Sequence, residues 1–593
     1  MKSQAKTFNE SEKIKNRDLI TSEDAKEENL PTCISCRQSD SESLAYVGLA
    51  VESNVLKCHS NKGPQICVED FDKTMQPMGV NIGHCGHMIH YSCFLNYLSP
   101  IKAHSTSFLN RIHKDQIDLE NFEFLCPLCK TLSNILIPYS QNTKLINESG
   151  LETHKNCAEW TEKLIEGFNK SDDLFGDFVS SEISQLKSDI LYFNVNLRMF
   201  TVGPDKREMG PTNNHLNYHY FISACDTLVY SISSLCAAER INACTSEWKN
   251  YRINQLRDIF NIFRYACEGE QIFKNKLKKR LFCWEYYIGN NPLKYLIAML
   301  TGIFDEKNSI FDVKMACGNA LLTRLVQLRI GFEKVHKTDL SSIQSIHMLA
   351  KNMLKEPVES SIFEHWKEFA NACLIVLQIF GLNLSEIEKR KVTENCDSIA
   401  HFFGIPNDLE NNETLVNLCA KWLNTTQEKF PTFFNLIANL EGLVSSKQLD
   451  YPLGFPINLV NLPESYTNLH AVIMNLSRNR SDSAVCLVCG AIVNCSGDGS
   501  CWMHATFCSP NSGLFFILQE CAVLLIRGKR AAYFPSFYVD AYGERQKKSK
   551  GKPLYLEPHR YKLLLDMHVR HEISTEVVNI RKNGRDVIRV AYY

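Results

Sequence analysis

The amino-acid sequence predicts a multidomain, mainly α-helical protein in which a helical region lies between two cysteine-rich segments. The length is the first reason, because 593 residues exceed what one hydrophobic core organises, and about three domains are expected. Apolar residues make up 44% and charged residues 22%, a globular balance that excludes a mainly disordered chain, a collagen and a coiled-coil rod. The 24 cysteines cluster, with eight between Cys33 and Cys129 and six between Cys486 and Cys521.

Composition and periodicity divide the chain into five segments. Residues 1–30 are polar and are expected to be disordered, and residues 140–156 are expected to be a linker. Residues 31–139 form the first Cys/His-rich domain, predicted to consist mostly of loops and short elements with long loop inserts. Residues 157–450 form the helical region, and residues 451–593 form a small α+β domain.

Apolar spacing supports the helical region and the last domain. One buried helix face is predicted from residues three and four apart: Ile253, Leu256, Ile259, Phe260 and Phe263. Residues 311–326 repeat this spacing, and the single cysteines on such faces are interpreted as small buried apolar residues. Residues 514–528 predict two short strands, and a helix is predicted from about Pro558 to His571.

Charge and hydropathy limit the partners and the location. The formal net charge is −1, and the basic runs 274–280 and 545–552 are not interleaved with aromatic residues, so nucleic-acid binding is not expected. The apolar runs 372–384 and 514–526 fall short of the roughly 20 residues that a membrane span requires. No signal peptide is recognisable, so we expect a cytoplasmic or nuclear location, reduced thiols, and clustered cysteines that bind metal.

Four pairs of metal-ligand residues occur in order in the first segment. The pairs are Cys33 and Cys36, Cys85 and His87, His90 and Cys93, and Cys126 and Cys129. Eight ligands suffice for two tetrahedral zinc ions with no open coordination position, the arrangement of structural rather than hydrolytic zinc sites.

This order of ligands resembles a RING domain with two histidines in its central pairs. In RING domains the pairs alternate between two metal ions. The resemblance therefore assigns Cys33, Cys36, His90 and Cys93 to one zinc ion. It assigns Cys85, His87, Cys126 and Cys129 to the other.

The resemblance also implies an activity. RING ubiquitin ligases form no covalent intermediate, and they hold a ubiquitin-charged conjugating enzyme in a reactive arrangement. By resemblance, Ile34 and Pro127 form the apolar seat for the conjugating enzyme, and Lys130 occupies the position of the cation that bridges it to ubiquitin. Arginine is commoner at that position, and lysine lacks its bidentate fork. A solvated surface lysine is the alternative interpretation of Lys130.

The inserts of this domain are long for a RING. Between Cys36 and Cys85 lie 48 residues, and between Cys93 and Cys126 lie 32. Cys58 and Cys67 fall in the first insert without clean pair spacing, so we interpret them as spectators, with a further zinc site as the alternative.

A second cluster offers five candidates for four ligand positions. We predict that Cys486, Cys489, His504 and Cys508 bind one zinc ion, which cross-links and stabilises this domain. Cys501 is the alternative ligand, and Cys495 and Cys521 are interpreted as structural. Three zinc ions per chain are therefore expected.

Several motifs resemble the UBR-type ubiquitin ligases, the N-recognins. They are PTCISC, CGHMIHYSC and FEFLCPLCKTLSNILIP in the first segment, ACDTLVYSISSLCAAE at 224–239, LVNLPESYTNL before CLVCG, and YVDAYGE, GKPLYL and Arg560-Tyr561 near the end. The motifs occur in the same order as in that family, from residue 31 to about residue 571. They do not include the family's upstream zinc-binding recognition box, so the chain resembles the C-terminal half of such a ligase.

The resemblance implies a RING-type ligase that transfers ubiquitin directly from a conjugating enzyme to a substrate lysine, in N-degron-type protein degradation. The implied partners are the conjugating enzyme, ubiquitin and protein substrates. Two alternatives come from other classes: a zinc-binding scaffold or truncated subunit that does not recruit a charged conjugating enzyme, and a nucleic-acid-binding zinc protein.

Overall fold

The computed structural model describes part of the chain. The described residues are 31–39, 44–56, 65–67, 79–105, 117–118, 123–139, 157, 218–268, 292–302, 310–332, 348, 350–351, 358, 360–406, 416–417, 419–420, 457–477, 483–495, 500–510, 512–544, 552–582 and 587–588. The segment predicted to be disordered, the predicted linker and Cys58 lie outside these residues.

The N-terminal domain, which comprises the described residues from 31 to 139, is built on a long antiparallel hairpin. Strand β1 (Leu44–Ser53) pairs with β2 (Gly79–His90) on one edge and with β5 (Ile135–Pro138) on the other. Helix α1 (Tyr91–Ser105) follows β2 directly, and β3 (Phe124–Leu125) pairs with β4 (Leu132–Ser133).

The expectation of loops and short elements is wrong for this hairpin. Its strands are 10 and 12 residues long. β1 packs closely on the neighbouring strands: a Cβ atom at Gly48 would lie 2.8 Å from Cδ1 of Ile137. The ligand pattern gave no information about this packing, because metal spacing specifies side chains and not the backbone between them.

The central region is helical, as the three-four spacing predicts. Its helices are α2 (Tyr218–Arg240), α3 (Ser246–Glu268), α4 (Pro292–Gly302), α5 (Ile310–Phe332), α6 (Ser360–Ile379), α7 (Glu386–Val392) and α8 (Cys396–Phe402). The predicted face of α3 is buried, with Leu256 and Ile259 at 0% exposure. Most single cysteines described in this region are buried in the same core, as predicted: Cys157, Cys225, Cys236, Cys317, Cys373 and Cys419.

The C-terminal region, called the cap (described residues 457–588), is an α+β unit. Its six-stranded sheet has the order β13-β10-β9-β8-β6-β7. These strands are β6 (Ser483–Cys486), β7 (Ile492–Asn494), β8 (Gly513–Ile517), β9 (Ala522–Arg527), β10 (Arg530–Phe534) and β13 (Val587–Ile588), and β11 (Tyr538–Val539) pairs separately with β12 (Tyr555–Leu556). Its helices are α9 (Tyr466–Leu476), α10 (Cys501–Cys508), α11 (Pro558–Val569) and α12 (Ile573–Lys582).

Both elements predicted for the cap are present. Residues 514–528 form most of the hairpin of β8 and β9, and the helix that was predicted from Pro558 begins there because Glu557 caps it. The Glu557 carboxylate accepts from the backbone N–H groups of His559 and Arg560, at 3.2 and 2.8 Å, and Pro558 needs no hydrogen-bond partner in the first turn.

The three regions contact one another. The Asn54 side chain donates to the carbonyls of Phe507 and Cys508 in the cap, at 3.1 and 3.2 Å. Ile82 of β2 donates through its N–H to the Ser231 hydroxyl of α2 at 3.1 Å. The fold is therefore helix-rich and mixed, and within the described part of the chain no helix is both long and apolar enough to cross a membrane.

Candidate metal centres

The first predicted ligand set comes together at the base of the hairpin. Cys33 and Cys36 lie in a turn before β1, His90 ends β2, and Cys93 lies in the first turn of α1. Their four donor atoms all lie within 4.8 Å of one another, and Sγ of Cys36 is 3.3 Å from Nδ1 of His90. Strand β2 and helix α1 meet at His90, which places this histidine and Cys93 on the same side.

The second set combines the second and the fourth ligand pairs of the sequence. Cys85 and His87 point to one face of β2 because they are two residues apart. Cys126 and Cys129 lie in the turn between β3 and β4, and all four donor atoms lie within 4.8 Å of one another. Nδ1 of His87 is 3.7 Å from Sγ of Cys126. The structure thus groups the eight residues into the two interleaved sets that the resemblance to RING domains implies.

The third set lies in the cap. Cys486 ends β6, Cys489 lies in the following turn, and His504 and Cys508 lie four residues apart on one face of α10. The Sγ atoms of Cys486 and Cys508 are 3.9 Å apart, and Sγ of Cys489 is 3.2 Å from Nε2 of His504. This set is more enclosed than the second, because three of its residues are buried.

The three Cys-x2-Cys turns have one backbone geometry. The first cysteine accepts through its carbonyl from the residue after the second cysteine: Arg37, Lys130 and Gly490, at 2.8, 3.0 and 2.9 Å. These three residues have φ angles of 62°, 60° and 86°, in the left-handed region. In two of the turns an N–H group also points at a cysteine sulfur, from Ser35 at 3.4 Å and from Ala491 at 3.5 Å. Such donors stabilise a thiolate.

The donor sets fit zinc. A tetrahedral ion with Zn–S bonds of about 2.3 Å separates two sulfur ligands by about 3.8 Å, close to the 3.9 Å between Cys486 and Cys508. Each set provides thiolates and one imidazole, ligands that zinc prefers, and four side chains would fill the coordination sphere. The arrangement can therefore cross-link the chain, and it leaves no position for a water nucleophile.

The other cysteines of these segments lie outside the sets. Cys501 starts α10, where its thiol lies 3.6 Å from the carbonyl of Asn494. Cys67 joins the cap through its backbone: its N–H donates to the carbonyl of Gly490, and its carbonyl accepts from Ile492, both at 3.0 Å. A cluster with Cys67 as a ligand is absent among the described residues.

The residues predicted to contact a conjugating enzyme lie within these turns or directly after them. Ile34 is half-buried against the apolar core of the N-terminal domain, and Pro127 is half-buried as well. Lys130 is exposed, and its Nζ donates to the carbonyl of Pro127 at 2.6 Å. Ile34 is therefore less exposed than its place after a ligand suggests.

Sequence reasoning missed Leu128. This residue is 61% exposed, although it is a large apolar side chain between two metal-ligand cysteines. Leu95, on the first turns of α1, is 46% exposed. The spacing did not distinguish Leu128 from Ile34 and Pro127, which also lie inside Cys-x2-Cys turns but are half-buried.

The chain is similar to known proteins over most of its length. Residues 303–570 match the model of the Proteolysis_6 C-terminal family, which covers much of the helical region and the cap. The human E3 ubiquitin-protein ligase UBR1 is 24% identical over 94% of this chain. Mouse UBR2 is 20% identical over 94%, and PRT6 of Arabidopsis thaliana is 21% identical over 82%.

The chain spans 37% of the length of UBR1 and UBR2 and 30% of the length of PRT6. All three of these relatives are named as E3 ubiquitin-protein ligases. Within that class, the resemblance to the UBR-type ligases, which the motifs from residue 31 to about residue 571 indicate, is confirmed.

Proposed function

We propose that this chain is the ubiquitin-transferring part of a RING-type E3 ligase that acts in an N-degron pathway. It would accelerate direct transfer of ubiquitin from a charged conjugating enzyme to a substrate lysine. The observation that carries the proposal is the pair of interleaved Cys/His sets along the C-terminal half of β2, in a chain similar to UBR-type ligases over 94% of its length.

Zinc would be held by the three sets described above, three ions per chain. Bound zinc would supply cross-links and no reacting group, because protein side chains would fill all its positions. The residues of the chain would then act by position: the two N-terminal turns would be fixed side by side, and their apolar side chains would seat the conjugating enzyme.

The seat would include Ile34, Pro127 and the exposed Leu128. Burial of one such side chain at an interface is worth roughly 1.5–3 kcal/mol, and each 1.4 kcal/mol is tenfold in affinity. Lys130 would contact ubiquitin only in the charged complex, after its amine leaves the Pro127 carbonyl. The gain in rate would come from restricting the charged enzyme to reactive orientations.

Single-turnover discharge of ubiquitin from a panel of charged conjugating enzymes onto free lysine tests this proposal. Ile34→Ala and Leu128→Ala should weaken binding of the conjugating enzyme about tenfold and keep all zinc. Lys130→Ala should leave binding of the uncharged enzyme unchanged and slow discharge. Leu476→Ala, at an exposed position on α9 of the cap, is the matched control and should change neither.

The alternative is a zinc-binding scaffold or truncated subunit. It is the better account if the wild-type chain binds zinc but accelerates discharge from no enzyme of the panel. If the wild type is active and none of the three N-terminal variants is slower, transfer uses a surface other than these turns.

A further inference from the structure

A cavity of about 690 Å³ lies where the N-terminal domain, helix α3 and the cap meet. Apolar atoms make up most of its wall. They come from Leu49 and Val51 of β1, Phe534 of β10 and Met567 of α11. The volume falls within the roughly 300–1,000 Å³ of pockets that hold small organic molecules.

Arg252 of α3 borders this cavity and is only 7% exposed. Its Nη1 donates to Oε1 of Gln255 at 2.8 Å, and its Nη2 donates to Oδ1 of Asn81 at 2.6 Å. Both acceptors are neutral amide oxygens. Among the described residues no carboxylate lies within ion-pair distance of this guanidinium, and a guanidinium carries five N–H donors.

The backbone of β2 makes room for this buried cation. A Cβ atom at Gly83 would lie 2.6 Å from Nη1 of Arg252, so a larger residue here would displace the guanidinium from its place over the strand. Burial lowers the pKa of Arg252 to about 10, which reflects the cost of holding a charge away from water. A buried charge that lacks a counter-charge costs free energy that a bound anion would offset.

The remaining charged residues of the wall favour one class of anion. Arg570 pairs with Glu572 at 2.9 Å and lies over the ring of Trp248. Glu576 borders the same cavity. Because these two carboxylates would repel a doubly charged phosphate, the single unmatched charge of Arg252 suits a monoanion, and the planar guanidinium fork matches a carboxylate.

We propose that this cavity is a binding site for a monocarboxylate with an apolar body, and that Arg252 binds its carboxylate. The apolar body would lie against the β1, β10 and α11 side chains. The carboxylate could belong to a free aliphatic acid or to the C-terminus of a peptide, and both share this chemistry. The cavity also borders Cys85 of the second metal set, but the proposed contacts are made by Arg252 and the apolar wall, and the proposal does not rest on the ligase activity.

Calorimetric titration of the full chain with sodium octanoate tests the proposal, with octanamide as the neutral control. We expect octanoate to bind and octanamide to bind at least about tenfold more weakly, because hydrogen bonds to a charged group are worth about 1.5–3 kcal/mol. A second arm compares a short peptide ending in leucine, as the free acid and as the C-terminal amide. Whichever acid binds more tightly, octanoate or the peptide, identifies whether the carboxylate belongs to a free aliphatic acid or to a peptide C-terminus.

Three variants locate the site. Arg252→Gln should weaken binding of octanoate about tenfold or more. Thr575→Phe, at a half-buried position of α12 that borders the cavity, should block it by filling space, and it decides the question if Arg252→Gln does not fold. Arg257→Gln, on the same helix with its guanidinium on the carbonyls of Gln378 and Ile379, should bind as the wild type does.

The proposal is overturned if neither acid binds the wild-type chain, or if the amides bind as tightly as the acids. It is overturned equally if Thr575→Phe and a folded Arg252→Gln bind like the wild type. None of these results affects the discharge assay, so a failure here is distinct from a failure of the ligase proposal.

Discussion

Gly490 is the residue where the turn of the cap metal set touches the N-terminal domain. Its φ of 86° places it in the region that glycine tolerates, and a Cβ atom would lie 1.9 Å from the carbonyl oxygen of Gln65. The equivalent turns in the N-terminal domain place Arg37 and Lys130 at φ angles near 60°, so the turn itself accepts a side chain. The contact with Gln65 therefore explains the glycine at residue 490.

Gly490→Ala should lower the free energy of unfolding by more than Gly528→Ala. Both residues have positive φ, which costs an alanine about 1–2 kcal/mol, but space around Gly528 is open. Chemical denaturation of both variants measures the difference. Equal losses would mean that the 65–67 segment does not rest on this turn.

The ligand choice in the cap is a second prediction at this scale. His504→Ala should release one zinc ion per chain and loosen the cap, because it removes a donor from a closed set. Cys501→Ser should keep all three ions, since its thiol faces the Asn494 carbonyl instead. Metal analysis of the purified variants decides, and the assignment is wrong if Cys501→Ser loses the ion and His504→Ala keeps it.

At the scale of elements, one buried hydrogen-bond network joins β1, α2 and the turn after α11. The hydroxyl of Ser53 accepts from Val55 N–H and from the Tyr230 hydroxyl, at 3.1 and 2.9 Å, so its own hydrogen points to Nε2 of His571 at 2.9 Å. Nδ1 of His571 then donates to Ser234 at 3.3 Å. This pattern requires a neutral imidazole.

The network predicts a pH dependence of stability. Burial, followed by the charges of Arg252 and His568, lowers the pKa of His571 to about 3, below the value of about 6.5 in an unfolded chain. Between these values the unfolded chain binds a proton that the folded chain does not. The stability contribution is therefore complete above pH 6.5 and is lost as the pH falls, by up to about 1.4 kcal/mol per unit.

His571→Gln should flatten this dependence. Unfolding between pH 7.5 and 5.5 measures it, and the difference from the wild type removes effects of other titrating groups. His559→Gln, at an exposed position of α11, is the control and should keep the wild-type slope. An unchanged slope in His571→Gln would mean that its imidazole is not held neutral.

Some of these elements could be predicted from the sequence, and others could not. Local periodicity and helix capping depend on residues that are close in the sequence. They therefore predicted the α3 face at Leu256 and Ile259, the β8–β9 hairpin and the start of α11 at Pro558. The ligand pairs of the N-terminal domain follow fixed spacings, and their division into two sets follows from the resemblance to RING domains. The long β1–β2 pairing is not local, because residues 44 and 90 pair across an insert whose length carries no signal. The network of Ser53, Ser234 and His571 depends on three distant segments meeting, which no spacing encodes.

At the scale of the whole molecule, the second insert binds the N-terminal domain to the cap. Glu123 pairs with Arg527 of β9, which is 2% exposed. Asp118 pairs with Arg530 of β10 at 3.2 Å, and Arg530 also donates to the carbonyl of Ile117 at 2.5 Å. Glu123 and Asp118 precede the Cys126 turn in the chain, so the second metal set and the cap sheet are joined through a few residues.

Removing one partner of the buried pair should therefore loosen two regions at once. Glu123→Ala leaves the Arg527 cation buried without its carboxylate, a change that typically costs about 3–5 kcal/mol. Lys562→Ala, which removes the exposed pair with Asp566, should cost at most about 1 kcal/mol. Thermal unfolding compares the two variants, and amide hydrogen exchange locates the change. Faster exchange is expected both in β9 and around Cys126 and Cys129. If exchange rises in β9 alone, the insert is bound to the cap without supporting the second metal set.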